Sequence, residues 1–174
     1  MQIIPLDNSS SVSLDFALFE SKKDLTYGVV QISHGMAEHL GRYENFINHL
    51  NNEGFHVIIH NHRGHGNRLV DGKIGFFASK DGWSCLVDDL ILIHEWAVKQ
   101  YPELPHILLG HSMGSWIAMS ALQKVTDFNA ALISGSSKPK VLETIVQKFL
   151  VRIETMRLGP LSLIHISEPT RRRG

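Results

Sequence analysis

The chain has little cysteine, no surplus of charge and no long apolar run. Cys85 is its single cysteine among 174 residues, which excludes an internal disulfide framework and favours a reducing compartment. Seventeen Lys and Arg balance seventeen Asp and Glu, so no strong field attracts nucleic acid or an anionic membrane. No apolar run approaches the roughly 18 residues that are needed to span a bilayer.

The first residues also lack the features of a secretory signal peptide. Residues 1–7 contain no basic stretch and no long apolar segment. With 43% hydrophobic and 20% charged residues, the composition is that of a globular protein of about one domain. These features predict a soluble, cytoplasmic protein that does not bind nucleic acid.

Apolar periodicity divides the chain into strands and helices. Alternating or β-branched apolar residues predict strands over 13–20, 27–33, 55–60, 106–110 and 129–134. Apolar residues at helical spacing predict helices over 42–52, 82–100, 113–124 and 139–156. The two kinds of element alternate four times from Tyr27, which favours a mostly parallel sheet with helices on both faces.

One pentapeptide carries the pattern of a catalytic serine. Gly110-His111-Ser112-Met113-Gly114 follows a predicted strand and opens a predicted helix, which is the context expected of a G-x-S-x-G nucleophile elbow. Such a sharp turn crowds the backbone, so the positions of Gly110 and Gly114 need small residues. The turn also places the serine hydroxyl at a helix N-terminus, where developing negative charge is stabilised. A serine that merely caps a helix is the alternative interpretation.

A second segment fits the same chemistry. His34 and Gly35 directly follow the first parallel strand, where an α/β-hydrolase supplies one backbone N–H of its oxyanion hole; the residue after the nucleophile supplies the other. These donors would be the N–H groups of Met36 and Met113. Because backbone alone is used, the methionine side chains are free to line the acyl site.

Four segments in unbroken order resemble those of a known family. They are His34-Gly-Met-Ala-Glu-His39, Gly41-Arg-Tyr43, Arg63-Gly-His-Gly66 and Gly110-His-Ser-Met-Gly114. Over residues 13 to about 137, the chain resembles the monoacylglycerol lipase and lysophospholipase-like branch of the α/β-hydrolases, also labelled serine aminopeptidase S33-like. The resemblance implies an α/β-hydrolase fold with a helical cap after the sixth strand, and a Ser-Asp-His triad in that chain order. It assigns Ser112 as the nucleophile.

The resemblance also divides the chain. We expect 1–137 to be the N-terminal part of the hydrolase core and 138–160 to be the start of the cap. Residues 161–174 resemble the translated read-through of a sequencing adapter, and we expect them not to be native. The triad Asp and His normally follow the cap, so we expect the chain to end before them and to be inactive by itself. The predicted helix over 139–156 is either a packing helix or a lid that contacts a membrane surface transiently.

Two residues depart from the family pattern, and several others are set aside as catalytic groups. Asn61 stands where the family usually has an acidic residue, and Arg68 stands where it often has a serine. The histidines at 60, 62 and 65 are spaced like metal ligands, but the acidic residue of the dinuclear hydrolase motif is absent, and we expect no metal and no cofactor. Asp127 precedes the strand at 129 and comes too early to be the triad acid; His165 lies in the presumed adapter.

These observations predict a serine carboxylester hydrolase whose substrate is a monoacylglycerol, a lysophospholipid or another small lipid ester. A peptidase or an acyltransferase on the same machinery is one alternative. A non-catalytic binding protein of the same fold is another, although a binding protein has no need of a strained serine elbow. The sequence leaves the oligomeric state open.

Overall fold

Six strands form a single sheet in the computed structural model of the chain, which describes residues 1–7 and 12–137. The strands are β1 (Gln2–Leu6), β2 (Leu14–Phe19), β3 (Gly28–Ser33), β4 (Phe55–Ile59), β5 (His106–His111) and β6 (Ala130–Ser134). They lie in the order β1-β2-β4-β3-β5-β6. The last four strands run parallel to one another, whereas β1 pairs antiparallel with β2 and β2 with β4. The mostly parallel sheet is thereby confirmed.

Helices cover both faces of this sheet. A 3₁₀ turn (Leu40–Tyr43) leads into α1 (Glu44–Asn52), and α2 (Gly82–Gln100) and α3 (Met113–Ala121) follow later. On one face, the buried side chain of Ile47 in α1 packs in a cluster with Val30 and Val57. On the opposite face, Ile93 of α2 packs with Val29 and Ile58. The adjacent residues Val29 and Val30 of β3 therefore pack in clusters on opposite faces of the sheet, because successive side chains of a strand point to opposite faces.

The predicted elements in the described residues are found, with small differences in their bounds. The helix predicted over 42–52 begins as a 3₁₀ turn, and α3 ends at Ala121 rather than at Lys124. β1 was not predicted; it is an antiparallel edge strand that contains Pro5, and its side chains are mostly exposed, so it carries little apolar periodicity. The helix predicted over 139–156 and the segments assigned to 138–160 and 161–174 lie outside the described residues.

The register of β3 and β5 positions the site. These strands are parallel neighbours, and Ser33 at the end of β3 pairs with Gly110 near the end of β5. Their carboxyl ends therefore open at the same edge of the sheet. The loop that begins at His34 and the turn at Ser112 consequently lie side by side, although 78 positions separate them in the chain.

Candidate active site

Ser112 lies at a sharp turn between the end of β5 and the start of α3. Its backbone has φ 52° and ψ −119°, a conformation that non-glycine residues rarely adopt and that is found where the surrounding structure enforces it. Three hydrogen bonds hold the turn: Ser112 N–H donates to Ser134 O at 2.9 Å, and the N–H and Oγ of Ser115 donate to Ser112 O at 3.0 Å and 2.5 Å. The strained strand-to-helix elbow is present as the pentapeptide predicts.

The two glycines of the pentapeptide make this turn possible by close approach. A Cβ on Gly110 would lie 2.6 Å from Gly114 O and 2.8 Å from the Cα of Ser115. A Cβ on Gly114 would collide with the carbonyl oxygens of Ser33 and His34. These neighbours are backbone atoms that cannot rotate away. The spacing of small residues around Ser112 therefore has a steric cause, and Gly114 brings the start of α3 against the end of β3.

The loop after β3 lies directly beside the elbow. A Cβ on Gly35 would stand 3.2 Å from the Cβ of Ser112. The peptide N–H of Gly35 donates to Glu38 Oε2 at 2.8 Å, and the Tyr43 hydroxyl donates to the same oxygen at 2.9 Å. Glu38 thus connects the loop to the 3₁₀ turn that leads into α1. The role of Tyr43 was missed from sequence, although its place in Gly41-Arg-Tyr43 marks it as part of the shared pattern.

The Glu38 carboxylate is held in its charged form. Burial by itself raises its pKa, but the hydrogen bonds from Gly35 and Tyr43, together with Arg42, outweigh burial and leave the pKa below its ordinary value. Arg42 Nη1 stands 3.7 Å from Glu38 Oε1, and its side chain is exposed. The pair with Arg42 therefore adds little to stability. The two neutral donors are the contacts that hold Glu38 against the loop.

His34 is fully buried beneath the same loop. Its Nδ1 lies 2.8 Å from the carbonyl oxygen of Gly35, and its Nε2 lies 3.0 Å from the backbone nitrogen of His62. Burial lowers the pKa of His34 to about 4, although the hydrogen bond to Gly35 opposes that change. The ring is therefore neutral at physiological pH.

The two proposed oxyanion donors differ in the surroundings of their side chains. Within the described residues, the N–H groups of Met36 and Met113 donate no hydrogen bond. The Met36 side chain is 58% exposed, whereas that of Met113 is buried in a cluster with Leu108 and Ile117. The Met113 side chain is therefore not free to line the acyl site, because it packs against α2 and β5.

The Ser112 hydroxyl has no hydrogen-bond partner within the described part of the chain. A carboxylate–histidine pair exists elsewhere: Asp127 Oδ1 lies 2.8 Å from His94 Nε2. The His94 ring stands 5.6 Å from that of His106, the first residue of β5, whereas Ser112 follows the last. Asp127 therefore lies at the opposite edge of the sheet, and its exclusion as the triad acid agrees with this position. His165 lies outside the described residues.

The three histidines that are spaced like metal ligands pack as buried rings. His60 and His62 have ring centroids 4.7 Å apart, and His62 Nε2 lies 3.2 Å from Ser33 Oγ. Burial lowers the pKa of both rings well below the ordinary value. Across residues 1–7 and 12–137, no three His, Cys, Asp or Glu side chains are arranged to hold a metal ion.

The two residues that depart from the family pattern have structural contacts in the loop after β4. Asn61 Oδ1 accepts from the N–H of Leu40 at 2.8 Å. Arg68 donates to Ser13 O, to Asn61 O and to Asp89 of α2. Arg63 and Arg68 also border a cavity of about 450 Å³ that no residue of the Ser112 elbow lines. These residues shape the loop and lie away from the Ser112 hydroxyl.

A comparison with protein families identifies the family of this chain. The family described as serine aminopeptidase, S33, matches residues 26–164, which is most of the chain. The chain belongs to this family. The matched residues include the loop at His34 and the elbow at Ser112. The described sheet has the α/β-hydrolase fold of this family.

Individual relatives agree with the family. The chain is 32% identical to a monoglyceride lipase of Rattus norvegicus over 106 residues, which are 60% of this chain and 33% of that protein. It is 35% identical to a monoacylglycerol lipase of Mycolicibacterium smegmatis over 109 residues, 62% of this chain and 37% of that protein. The chain therefore spans about a third of the length of these curated relatives.

Solved structures confirm the fold. A thermostable carboxyl esterase from Bacillus coagulans superimposes with a TM-score of 0.73 at 24% identity and covers 98% of this chain and 60% of its own. At this identity the likeness establishes the α/β-hydrolase fold and not a substrate. In the described part of the S33 chain, none of the helices combines the length and the apolarity that crossing a membrane requires.

Proposed function

We propose that the protein is a serine hydrolase that cleaves carboxylic esters of small lipids, of the monoacylglycerol or lysophospholipid type. One observation carries this proposal. The Ser112 hydroxyl stands at a strained elbow, without a partner in the described chain, next to a loop whose Met36 N–H is equally unengaged. A structural serine has no need of this arrangement, whereas a nucleophile needs an accessible hydroxyl and preorganised donors.

The arrangement suits acyl transfer through a covalent intermediate. Ser112 Oγ attacks the acyl carbonyl carbon while its proton passes to a histidine base, which the family resemblance places after the cap. The N–H groups of Met36 and Met113, with the N-terminus of α3, stabilise the oxyanion. Expulsion of the alcohol, which takes the proton, leaves an acyl-enzyme. Water then attacks this ester, releases the fatty acid and restores Ser112.

The lipid substrate is supported by two independent features. The relatives from rat and from Mycolicibacterium smegmatis are named as monoglyceride and monoacylglycerol lipases. In this chain, the exposed Met36 side chain offers an apolar surface beside the proposed oxyanion donors, which suits the first carbons of an acyl chain.

A peptidase is the second candidate function, and the family description favours it. Members are described as serine aminopeptidases, and an amide carbonyl can occupy the same oxyanion hole. An acyltransferase would use the same acyl-enzyme with a different acceptor. Comparing an aminoacyl nitroanilide, a monoacylglycerol and a monoacylglycerol with added alcohol separates the three reactions.

The test uses the protein expressed from its complete reading frame. We expect hydrolysis of a short-chain nitrophenyl ester and of a monoacylglycerol, and labelling of Ser112 by a fluorophosphonate. Ser112→Ala should abolish labelling and lower kcat by about a thousandfold or more, because the proposed acyl-enzyme forms on the Ser112 oxygen. The control is Ser120→Ala on the same helix, where the hydroxyl only accepts a hydrogen bond from Trp83 at 3.3 Å. Unchanged turnover in Ser112→Ala would contradict the proposal.

A further inference from the structure

The peptide between Gly35 and Met36 is held by a side chain on its carbonyl side. The carbonyl oxygen of Gly35 lies 2.8 Å from Nδ1 of His34. None of the described peptide bonds is cis, and in a trans peptide the C=O and the following N–H point in opposite directions. A contact that fixes the Gly35 carbonyl therefore fixes the Met36 N–H as well. Because the His34 ring is fully buried, the N–H points away from the core.

The partners of His34 determine which ring nitrogen carries the proton. The backbone N–H of His62 can only donate, so Nε2 of His34, 3.0 Å away, must accept and be unprotonated. The carbonyl of Gly35 can only accept, so Nδ1 must carry the proton. Both contacts are satisfied by one neutral tautomer. Protonation of Nε2 would set two N–H groups against each other and would break the arrangement.

We propose that His34 is a positioning residue: as the Nδ1–H tautomer it clamps the Gly35 carbonyl and thereby aims the Met36 N–H at the oxyanion that forms on attack by Ser112. This inference rests on the function proposed for Ser112. His34 itself touches neither substrate nor reacting atoms. Glu38 holds the N–H of Gly35 on the other side, so both polar groups of that residue are engaged and the loop is preorganised before substrate binds.

The surroundings of His34 favour the neutral ring. The titratable groups that influence its ring are three buried histidines and two groups of its own loop: His60, His62, His65, Glu38 and His39. Glu38, the single acid among them, is engaged by Gly35 and Tyr43 rather than by the ring. The clamp consequently persists through neutral pH.

Two substitutions separate the donor of His34 from its acceptor. In His34→Asn, the amide nitrogen takes the place of Nδ1 and can still donate to Gly35. In His34→Gln, the amide reaches the position of Nε2, can accept from His62, and leaves the Gly35 carbonyl without its donor. In the protein expressed from its complete reading frame, we expect His34→Gln to lower kcat on a short-chain nitrophenyl ester about a hundredfold, the typical effect of losing one oxyanion donor. KM should change less than about threefold, and His34→Asn should keep kcat within about tenfold.

Rates are expressed per Ser112 site, titrated to completion with a fluorophosphonate, so that misfolded protein does not count. His94→Gln is the matched control: His94 is also buried, but it lies at the opposite edge of the sheet and should lose stability without losing kcat. Equal losses of kcat in the two His34 variants, or a His34→Gln kcat within threefold of the parent, would overturn the inference. An unlabelled, inactive parent would instead overturn the function proposed for Ser112.

A spectroscopic measurement decides the matter if His34→Gln does not fold. Nitrogen-15 NMR of the unsubstituted protein at neutral pH should show His34 protonated on Nδ1 and unprotonated on Nε2. The opposite tautomer, or a charged ring, would overturn the inference, because neither can accept from His62 while donating to Gly35.

Discussion

Gly114 packs directly against the carbonyl oxygens of Ser33 and His34. We expect Gly114→Ala to lower the free energy of unfolding by about 3 kcal/mol, at the upper end of the cost of overpacking, because the backbone atoms it meets cannot rotate away. Fluorophosphonate labelling of Ser112 should fall with it, since the elbow must open. Urea unfolding measures the first effect and gel fluorescence the second.

Gly72→Ala is the control for this substitution. Gly72 has a φ of 69° and nothing within 4 Å of its Cβ position, so the added methyl group meets strain without crowding and should cost only about 1–2 kcal/mol. Equal destabilisation by the two variants would show that crowding at Gly114 is not the reason for glycine there.

Glu38 accepts two hydrogen bonds on one oxygen, from Gly35 and from Tyr43. We expect Glu38→Ala to lower kcat about tenfold or more, because the Gly35 N–H loses its acceptor and the loop loses its tie to the helix that follows. Glu38→Gln keeps an acceptor oxygen and should cost less. Steady-state rates per titrated Ser112 measure both, and a Glu38→Gln variant worse than Glu38→Ala would contradict the role of the hydrogen bonds.

His94 joins α2 to the connection between α3 and β6 through its bond to Asp127. Asp127 is 57% exposed, so solvent weakens the pair, and Asp127→Ala should cost only about 1 kcal/mol. We expect a Tm lower by about 2–4 °C and an unchanged kcat, measured by calorimetry and by ester hydrolysis. A loss of turnover of a hundredfold or more would identify Asp127 as a catalytic acid and contradict its placement at the far edge.

β6 is the end strand of the described sheet, and all five of its residues are exposed. Leu132 and Ile133 are apolar and 55% and 37% exposed, and an apolar unpaired edge invites pairing with another chain. We therefore expect the polypeptide of residues 1–174 to elute from gel filtration mainly as aggregate. Leu132→Lys should increase the monomer fraction, whereas a stable monomer in the unsubstituted polypeptide would contradict this prediction.

Buried histidines set the response of the whole molecule to acid. Burial lowers the pKa of His34 to about 4 and that of His60, His62 and His65 as well, whereas an unfolded histidine titrates near 6.5. Below that pH the unfolded chain takes up protons that the folded chain cannot. Stability is therefore fully present above about pH 6.5 and is lost as pH falls toward 4. His34 alone accounts for about 3 kcal/mol of this loss.

Urea unfolding at pH 7.5, 6 and 5 tests this prediction. The free energy of unfolding should fall progressively, and His34→Asn should reduce the slope below pH 6.5 by about one proton. A free energy that is constant between pH 7.5 and 5 would contradict the burial of neutral histidines.

Much of the fold was predictable because it rests on local patterns. The nineteen residues of α2 were predicted with both bounds, since an apolar stripe and the Tyr101-Pro102 stop are both local signals. β1 was missed because a strand with Pro5 and mostly exposed side chains acquires its order from pairing with β2. The burial of the Met113 side chain was also missed. The position of Met113 at the start of a helix follows from local sequence, but the residues that bury its side chain belong to α2 and β5.

The sequence by itself determined the alternation of strands and helices and the serine elbow, because small residues around Ser112 and apolar periods act over a few positions. The tertiary structure alone decided which groups meet across the sheet. His34 finds the N–H of His62, 28 residues away, because β3 and β4 are parallel neighbours, and Gly35 reaches Ser112 because β3 also borders β5. Asp127 lies at the opposite edge of the sheet, where the parallel strands begin, because it precedes β6, which is parallel to β5. No short segment determines these contacts, because they depend on strand register and therefore on the packing of the whole sheet.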